Sequence, residues 1–475
     1  MAGDKMIDDK LEILKDELIK TADENKWRVH EKIGAYFHDI GDAEGAVQAY
    51  LNAAQCDKYL RSQRTHFSNY LFALHYLNGV SNEDLAHEHF IYNNLYGDNI
   101  TKDEPLSNIN ANNKITVGYI APHFLESSSA RFYEALLTNY SRDKFIVKCF
   151  SLSSDSDTFT DKIKSNVDKY IMLANTSIEE AAQTIFNENV DILFDLGGHT
   201  EGGMTLQIMS YKTAPIQISG IGYFDTTGLS AVDYILTDNY LAPIGHEKFF
   251  TEKLIRLSGL FAFMPTEQMS RNILDTAHDI KNTNITFGCF NNFMKVTDDY
   301  LKCVKKILQQ VDEAHFILQD TTAIPERKAN MMNRIKHLKL PINRVEIRLG
   351  NDDYLKDYAD IDIMLDTFPY NGGTMTATAL YMNVPVISLY GSRHSSRFGA
   401  DILRLAGLTD LIANSNKDYI SFAVELAFDS ERLNNLKRNM RNNLTKSKLF
   451  DIKLFVSEVE YQYERIVNFK MRSGK

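Results

Sequence analysis

Short apolar runs separated by amphipathic stretches recur along most of the chain after residue 113. The runs are rich in β-branched and aromatic residues, which is typical of buried strands in a parallel sheet. They form two series: 114–121, 145–152, 190–196, 216–223 and 234–237, then 285–290, 315–318, 345–349, 361–365 and 384–389. Helical patterns such as 128–138 and 178–186 lie between some of these runs. The pattern therefore predicts an α/β protein with two successive Rossmann-like domains, residues 113–265 and 283–445.

The N-terminal region, residues 1–105, carries helical patterns instead. Small and aromatic residues recur there with tetratricopeptide spacing around a Gly41-Asp42 turn: Gly34, Phe37, Gly41, Ala46, Tyr50 and Ala53. One such copy is clear, and 65–96 continues as a degenerate helical stretch. Because one repeat cannot bury its own apolar face, we expect this region to dock on its neighbour. A peptide-binding role and a generic helical cap are both compatible with the pattern.

Two further segments complete the predicted organisation. The polar stretch 98–113, which contains Pro105, predicts a linker before the first α/β domain. The C-terminal segment 451–475 predicts an amphipathic helix, because its apolar residues recur on one helical face: Ile452, Phe455, Val459, Tyr463 and Ile466. We expect this helix to pack back on the first Rossmann-like domain.

Composition narrows the class of protein. Hydrophobic content of 44% and charged content of 24% are ordinary for a globular protein, and the net charge of −11 argues against nucleic acid or an anionic membrane as a partner. The four cysteines are scattered, which predicts a reducing compartment and no zinc site. The N-terminus is charged and amphipathic, unlike a signal peptide, and no run approaches the ~18 apolar residues of a membrane span. We therefore expect a cytoplasmic protein.

The strand-to-helix corner after residue 365 is the first candidate site. Gly372 and Gly373 precede a helical pattern that begins at Thr374. A helix start carries unpaired N–H groups and partial positive charge, glycines let an anion approach, and Thr374 and Thr376 add hydroxyl donors. Lys295, just beyond the 285–290 strand, would place a positive charge against a diphosphate. An ordinary turn and an exposed surface lysine are the competing interpretations.

Three loops of the first α/β domain follow predicted strands and would reach a cleft between the two domains. The first contains His123 and Ser127, and a third, residues 222–228, contains Tyr223. The second, residues 197–203, holds His199 among four glycines, where it would carry a proton or donate a hydrogen bond, with Glu201 as a residue that could orient it. A structural histidine is the alternative interpretation.

Two Asp-x-Asp sequences raise the question of a metal site. Asp360 and Asp362 open a buried strand, and Asp155 and Asp157 lie in a serine-rich loop. We interpret both pairs as structural, and the sequence predicts no metal and no cofactor.

Six ordered segments resemble glycosyltransferase family 41, which contains the O-GlcNAc transferases, their bacterial relatives and the plant SPINDLY-type proteins. These segments are GYIAPHF, DLGGHTEGG, APIQISGIGYFDTTG with DYILTD, FGCFNNFMK, LDTFPYNGGTMT and SRHSSRFGADILRLAGLTDLIA. The resemblance covers nearly all of residues 25–470. It implies the GT-B fold, a nucleotide-sugar donor without a metal, and transfer of a sugar to Ser or Thr of proteins, although a more distant branch glucosylates Asn.

The resemblance also assigns roles to particular positions. Lys295 matches the family lysine that contacts the sugar-nucleotide diphosphate, and Asn292 matches a Gln or Asn near the nucleotide. The run Gly373, Thr374 and Met375 matches the phosphate-contacting run, flanked here by Gly372 and Thr376. His199 matches the histidine of the bacterial GHT motif.

The chain departs from the family at three positions. Animal enzymes place a histidine, once proposed as the catalytic base, where this chain has Ser127. Relatives commonly carry Asp where Thr378 stands, and an animal histidine near the uracil falls at about Tyr354.

The leading hypothesis is therefore an inverting protein O-glycosyltransferase that moves GlcNAc from UDP-GlcNAc onto Ser or Thr of a protein acceptor. The alternative hypothesis is a non-catalytic or partner-dependent family member that binds the acceptor, as a homo-oligomer or beside an active glycosyltransferase subunit.

Overall fold

The structure is a computed structural model that describes residues 2–97, 114–271 and 284–473. The predicted linker, residues 98–113, lies outside the described residues. The strands are β1 Ile115–Ala121, β2 Phe145–Ser151, β3 Lys169–Met172, β4 Ile192–Asp195, β5 Ile216–Ser219, β6 Tyr234–Asp238, β7 Lys253–Leu257, β8 Thr286–Phe290, β9 His315–Gln319, β10 Val345–Arg348, β11 Ile363–Leu365, β12 Val386–Leu389 and β13 Ile412–Ala413.

Helices flank these strands and form the N-terminal region. They are α1 Ala2–Lys20, α2 Lys26–Ile40, α3 Ala43–Cys56, α4 Leu60–Leu74, α5 Asn82–Tyr96, α6 Ala130–Thr138, α7 Thr158–Asn166, α8 Ile178–Asn187, α9 Met204–Met209, α10 Glu267–Arg271, α11 Asp298–Gln310, α12 Pro325–His337, α13 Tyr354–Asp357, α14 Thr374–Tyr381, α15 Phe398–Leu405, α16 Asn416–Phe428, α17 Ser430–Leu444 and α18 Ile452–Ser473. No helix in the described part of the chain is long and apolar enough to cross a membrane.

Both sheets are parallel, as the sequence predicts. Within the described residues, the first sheet has the order β3-β2-β1-β4-β5-β6-β7 and the second has the order β10-β9-β8-β11-β12-β13. The direction of winding reverses between β1 and β4 in the first sheet and between β8 and β11 in the second. In open parallel sheets, ligands bind beyond the carboxyl ends of the strands at such a reversal. The loops that follow β1, β4, β8 and β11 are therefore the positions to examine.

Three strands were missed by the sequence pattern. β3 lies at a sheet edge and none of its residues is buried, so its apolar signal is weak. In β7 only Ile255 and Leu257 are buried, and the polar residues Lys253 and Arg256 interrupt KLIRL, so a search for continuous apolar runs passes over it. β13 contains only two residues. The predicted strand 216–223 is shorter in the structure, because the chain turns after Ser219 at Gly220 and Ile221, which both have positive φ.

The described residues divide into two compact units. Unit 1 contains Met1–Lys58, Ala73–Val80 and Pro265–Phe450, and unit 2 contains Tyr59–Phe72, Ser81–Met264 and Asp451–Lys475. The helices predicted within residues 1–105 are present, but α1–α3 belong to unit 1 and α4 and α5 belong to unit 2. Helix α18 also belongs to unit 2, where the Tyr463 hydroxyl lies 3.1 Å from that of Tyr119 on β1.

Helices α2 and α3 form the helix–turn–helix that the small and aromatic spacing predicts. Gly41 ends α2 with φ +76°, and the Asp42 side chain caps α3 by accepting the Gly45 N–H at 3.0 Å. Gly34 allows close packing in this pair, since a Cβ at Gly34 would lie only 2.6 Å from the Tyr50 ring. Helix α2 of this pair packs on α12 within unit 1, as α1 does.

Candidate functional site

The reversal point of the unit 1 sheet brings the two predicted donor loops together. The loop after β8 ends in a short 3₁₀ turn, Phe293–Lys295, and the loop after β11 leads through Asn371 into α14. Lys295 is half-buried, and its Nζ donates to the Asn371 carbonyl at 2.9 Å. The same ammonium lies 3.7 Å from the centroid of the Tyr370 ring. One N–H and one ring face thus fix the ammonium and leave further N–H donors for an anion.

Burial sets the electrostatics of this lysine. Desolvation lowers the pKa of Lys295 below its ordinary value, and the nearby Asp366 carboxylate opposes that shift. A diphosphate would add negative charge beside the ammonium and raise its pKa again. Lys295 is therefore suited to binding an anion whose charge increases during a reaction.

Asp366 organises the corner, a role that the sequence pattern did not assign to it. Its fully buried carboxylate accepts the Gly372 N–H at 2.7 Å and the Ser388 hydroxyl at 2.6 Å. Desolvation raises the pKa of Asp366, while these two hydrogen bonds and Lys295 oppose the rise. The available signal was an Asp at the carboxyl end of a buried apolar run, where a charged residue needs specific partners.

The helix start itself is only partly as predicted. Gly373 precedes α14 and is half-exposed, and among the described residues no side chain caps its first turn, so that its N–H groups suit an anion. Gly372 is buried instead, since a Cβ there would lie 2.9 Å from Asp366 Oδ1. The prediction that the Thr376 hydroxyl donates to a ligand is corrected as well. This side chain is buried and its hydroxyl donates to the Gly372 carbonyl at 3.0 Å. Met375 is half-exposed and Thr374 is nearly buried.

Asn292 is oriented by the protein itself. Its Oδ1 accepts the Met294 N–H at 3.0 Å and a guanidinium N–H of Arg327 at 2.8 Å. A ligand contact of this half-exposed side chain would therefore use Nδ2 as a donor. Two of the three positions at which the chain departs from the resembled family, Tyr354 and Thr378, also lie in this unit. Tyr354 begins the short helix α13, and Thr378 is fully buried within α14.

His199, the predicted proton carrier, is fully buried in unit 2. Its Nε2 lies 2.9 Å from the Thr227 carbonyl, which can only accept, so Nε2 carries the proton and Nδ1 accepts from the Ser68 hydroxyl at 2.9 Å. Desolvation and the neighbouring His89 hold the pKa of His199 well below its usual value. Both ring nitrogens are occupied, and the imidazole is neutral. The geometry contradicts the interpretation of His199 as a general base.

The glycines around His199 serve packing inside the protein. A Cβ at Gly202 would lie 2.4 Å from Thr65 Cγ2, and a Cβ at Gly203 would lie 2.3 Å from Ser68 Oγ, both on helix α4. The two glycines also have φ of +72° and +65°, which other residues rarely adopt. The backbone of the loop 197–203 thus packs directly against helix α4 within unit 2.

Tyr223 belongs to the same buried cluster and is not exposed in a cleft. His89 on α5 donates from Nδ1 to the Leu85 carbonyl at 2.7 Å, so its Nε2 accepts the Tyr223 hydroxyl at 2.8 Å. Burial lowers the pKa of His89 to about 4. The His199 ring contacts Tyr92 edge-on at a centroid distance of 4.7 Å. The prediction that Tyr223 lines an acceptor cleft is therefore corrected to a packing role.

His123, which is half-buried, and the exposed Glu201 form a polar pair in unit 2. His123 Nε2 lies 3.0 Å from Glu201 Oε1, and the Leu125 N–H donates to His123 Nδ1 at 3.2 Å. Hydrogen bonding to Glu201 raises the pKa of His123. The expectation that Glu201 orients His199 is wrong, since Glu201 contacts His123. Ser127 is half-exposed, and its Oγ accepts the Ala130 N–H at 3.4 Å.

The two Asp-x-Asp sequences have structural partners. Asp360 pairs with Arg348 at 2.6 Å, and Asp362 accepts the Thr286 N–H at 2.9 Å. Asp157 caps helix α7 by accepting the Thr160 N–H at 2.9 Å. Within the described ranges, no group of three or more His, Cys, Asp and Glu side chains is placed to hold a metal ion.

Comparisons with known proteins place this geometry in a family. The model of the family described as "Glycosyl transferase family 41" matches residues 99–284 and 264–459. The "Probable UDP-N-acetylglucosamine--peptide N-acetylglucosaminyltransferase SPINDLY" of Eustoma exaltatum subsp. russellianum is 32% identical over 409 residues, which cover 83% of this chain and 44% of that protein. The protein of the same name from Petunia hybrida is 29% identical, with coverage of 83% and 43%. The chain therefore spans less than half the length of these curated relatives.

A solved structure agrees with the sequence comparison. A point mutant of the Thermobaculum terrenum O-GlcNAc transferase superposes with a TM-score of 0.86 at 25% sequence identity, covering 97% of this chain and 88% of that chain. Together with the two parallel sheets, this likeness shows the α/β fold of GT-B type, with a helical N-terminal region. The chain belongs to glycosyl transferase family 41.

Proposed function

We propose that this chain is a UDP-sugar-dependent glycosyltransferase, and that it moves GlcNAc from UDP-GlcNAc to a Ser or Thr hydroxyl of a protein acceptor. The observation that carries the proposal is the Lys295 ammonium, held over Tyr370 and beside the Asn371 carbonyl at the reversal point of the unit 1 sheet. The names of the relatives support the choice of donor and acceptor. The acceptor side belongs to the loops of unit 2, and the reaction takes place in the cytoplasm.

The chemistry asked of the site is a single displacement with inversion. The acceptor oxygen forms a bond to the anomeric carbon of the sugar while the bond from that carbon to the diphosphate oxygen breaks. The electron pair of the broken bond leaves with UDP, and the hydroxyl proton passes to a base or to water. Lys295 and the first-turn N–H groups of α14 donate hydrogen bonds to the diphosphate as its charge grows, which lowers the barrier.

This chain carries the reaction without a metal and without an imidazole base at His199. The carboxylates of Asp360, Asp362 and Asp157 are used by structural partners, and both nitrogens of His199 are occupied. Departure of a well-stabilised diphosphate then supplies most of the rate enhancement. The protein acceptor is the only other substrate required.

A second candidate function is an acceptor-binding family member that needs an active partner subunit or a second copy of itself. Ser127 favours it, because a serine cannot take a proton at neutral pH as the histidine of animal relatives would. Under this reading the donor loop still binds nucleotide, but no sugar is transferred by the chain alone.

The test joins calorimetry to a transfer assay. UDP, GDP, UDP-GlcNAc and UDP-glucose are titrated separately into the purified chain, and UDP-GlcNAc is then incubated with the chain and a library of Ser- and Thr-containing peptides. Binding of UDP together with sugar-modified peptides in the mass spectrum supports the transferase. Binding of UDP without any modified peptide favours the partner-dependent subunit, and failure to bind UDP contradicts both.

A further inference from the structure

Arg327 joins the N-terminal helices of unit 1 to its donor loop. The side chain lies in the first turn of α12 and is 1% exposed. Its Nε donates to the Asp39 carbonyl at 3.1 Å and its Nη2 donates to the His38 carbonyl at 3.0 Å. On the other side, Nη1 donates to Asn292 Oδ1 at 2.8 Å and lies 3.3 Å from both carboxylate oxygens of Asp320.

The helix side of this bridge is the carboxyl end of α2. The last carbonyls of a helix have no intrahelical partner and carry partial negative charge, which a guanidinium complements. Gly41 follows directly with φ +76°, and a Cβ at Gly41 would lie 3.7 Å from Phe293 Cβ and 3.9 Å from Arg327 Cγ. The α2–α3 turn therefore lies beside both the donor loop and the arginine, where a side chain at position 41 would reach them.

The loop side of the bridge fixes the backbone that carries Lys295. Asn292 Oδ1 also accepts the Met294 N–H, and Asp320 accepts the Phe293 N–H at 3.2 Å. The Lys295 N–H in turn donates to the Asn292 carbonyl at 2.9 Å. The backbone N–H groups of the turn 293–295 therefore all donate to Asp320 or to Asn292, and the side chains of both of these residues accept from Arg327.

We infer that Arg327 is a positioning residue for Lys295, and that the helix pair α2–α3 is thereby part of the donor-binding machinery. The inference rests on the proposed function, because it assigns the helix pair to the donor rather than to the protein acceptor. A lysine in place of Arg327 would keep the charge but lose the planar fork that serves five oxygen atoms on four residues at once. The bridge therefore depends on arginine in particular.

The first test compares Arg327→Lys with the wild-type chain. The expected result is an increase of about tenfold in the Kd for UDP and in the donor KM, which corresponds to about 1.4 kcal/mol. The rate at saturating donor is also expected to fall, because the displaced Lys295 stabilises the leaving diphosphate less well, whereas the acceptor KM is expected to stay within about threefold, a split between the two substrates that a general loss of folding does not produce. An unchanged UDP affinity in a folded variant would overturn the inference.

A second pair of variants keeps Arg327 intact and remains informative if Arg327→Lys fails to fold. Gly41 and Gly79 have nearly equal φ, +76° and +77°, and a Cβ at Gly79 meets no described atom within 4 Å. Gly41→Leu and Gly79→Leu therefore carry a similar backbone penalty, but only the first pushes a side chain toward Phe293 and Arg327. We expect weaker UDP binding for Gly41→Leu alone, and equal UDP affinities in the two variants would contradict the role of the helix pair.

The same titrations separate this inference from the proposed function. If Lys295→Ala loses UDP binding while the Arg327 and Gly41 variants retain it, only the link to the helix pair fails. If Lys295→Ala also binds UDP as the wild-type chain does, the donor site itself has been assigned wrongly.

Discussion

Two glycine-rich loops lie at the reversal points of the two sheets, and they serve different purposes. In unit 1 the corner at Gly373, after β11, is half-exposed and lacks a side-chain cap among the described residues. Lys295, a lysine of lowered pKa on the loop after β8, donates to the Asn371 carbonyl of the same corner. In unit 2 the loop that contains Gly202 and Gly203 is filled by helix α4, and its histidine is fully buried. A glycine cluster after a strand therefore predicts that another group packs closely against the backbone. Only the structure shows whether another part of the protein fills that space or leaves it open to a ligand.

Electrostatics separates the two loops as clearly as packing does. The Lys295 ammonium has a hydrogen-bond partner and an aromatic face that stabilise its charged form, and an anion would add to them. His199 has neighbours that suit only its neutral form, because its Nε2 donates to a carbonyl and its Nδ1 accepts from a hydroxyl. The surroundings of Lys295 suit a charged side chain, whereas the surroundings of His199 suit a neutral one.

The largest expected effect comes from removing the charge in unit 1. Lys295→Ala is expected to lower turnover by at least ~100-fold, or about 2.7 kcal/mol at the transition state, because the leaving diphosphate loses its ammonium. Steady-state kinetics with UDP-GlcNAc measures the effect. Lys302→Ala is the matched control, since Lys302 lies nearby in the same unit in an exposed pair with Asp299. Turnover of Lys295→Ala within a few-fold of the control would contradict the assignment.

The buried histidines of unit 2 predict a loss of stability in acid. Burial lowers the folded-state pKa of His89 to about 4, whereas the unfolded chain protonates near 6.5. Between these values the unfolded state binds more protons, so the free energy of unfolding falls as pH falls, by about 2 kcal/mol between pH 6.5 and 5. His199 adds to the fall in the same direction. Urea denaturation followed at several pH values measures the slope.

A control is needed for that slope because buried acids titrate in the opposite sense. Burial raises the pKa of Asp195 and of Glu252, so the folded state takes up protons there more readily than the unfolded chain does. The difference between the wild-type chain and His89→Gln isolates the histidine, since glutamine does not titrate. The variant should have the flatter profile, and parallel profiles would show that the pKa of His89 is the same in the folded and the unfolded chain.

A smaller effect is expected from filling the contact between the unit 2 loop and α4. Gly203→Ala places a Cβ 2.3 Å from Ser68 Oγ, the partner of His199, whereas Gly245 has a comparable positive φ and no described atom within 4 Å of its Cβ position. Relative to Gly245→Ala, Gly203→Ala should lose a further ~1–2 kcal/mol of unfolding free energy through overpacking. Chemical denaturation of both variants provides the comparison. Equal losses would mean that the loop is not packed as described.

The smallest expected effect is that of chelation. Excess EDTA should leave sugar transfer unchanged, because Arg348 engages the carboxylate of Asp360, the Thr286 N–H engages that of Asp362, and Asp157 caps helix α7. The measurement is the transfer rate before and after chelation. A loss of activity that Mn²⁺ or Mg²⁺ restores would show that one of these aspartates binds a metal.

The sequence predicts the parts of the molecule whose signals are local. The buried strands, the α2–α3 turn at Gly41 and the position of Lys295 after β8 follow from short-range patterns of apolar, small and polar residues. The role of Arg327 does not, because its acceptors lie at positions 38, 39, 292 and 320, and an arginine in the first turn of an amphipathic helix gives no sign of burial. The interpretation of His199 as a proton carrier is wrong for the same reason, since Ser68, whose hydroxyl donates to its Nδ1, lies 131 positions earlier in the chain.

The division of the chain into units has a consequence for its synthesis on the ribosome. Each unit is assembled from three separate stretches of the chain, and unit 2 includes α18, which follows all of unit 1. Tyr463 of that helix contacts Tyr119 and Phe194 of the sheet, so a nascent chain that ends before residue 452 leaves this aromatic surface without its cover. Proteins whose domains are contiguous fold them one after another as they emerge. Here the sheet of unit 2 is synthesised before the sheet of unit 1, but helix α18 can cover it only after unit 1 has been synthesised, so the nascent sheet exposes this aromatic surface until then.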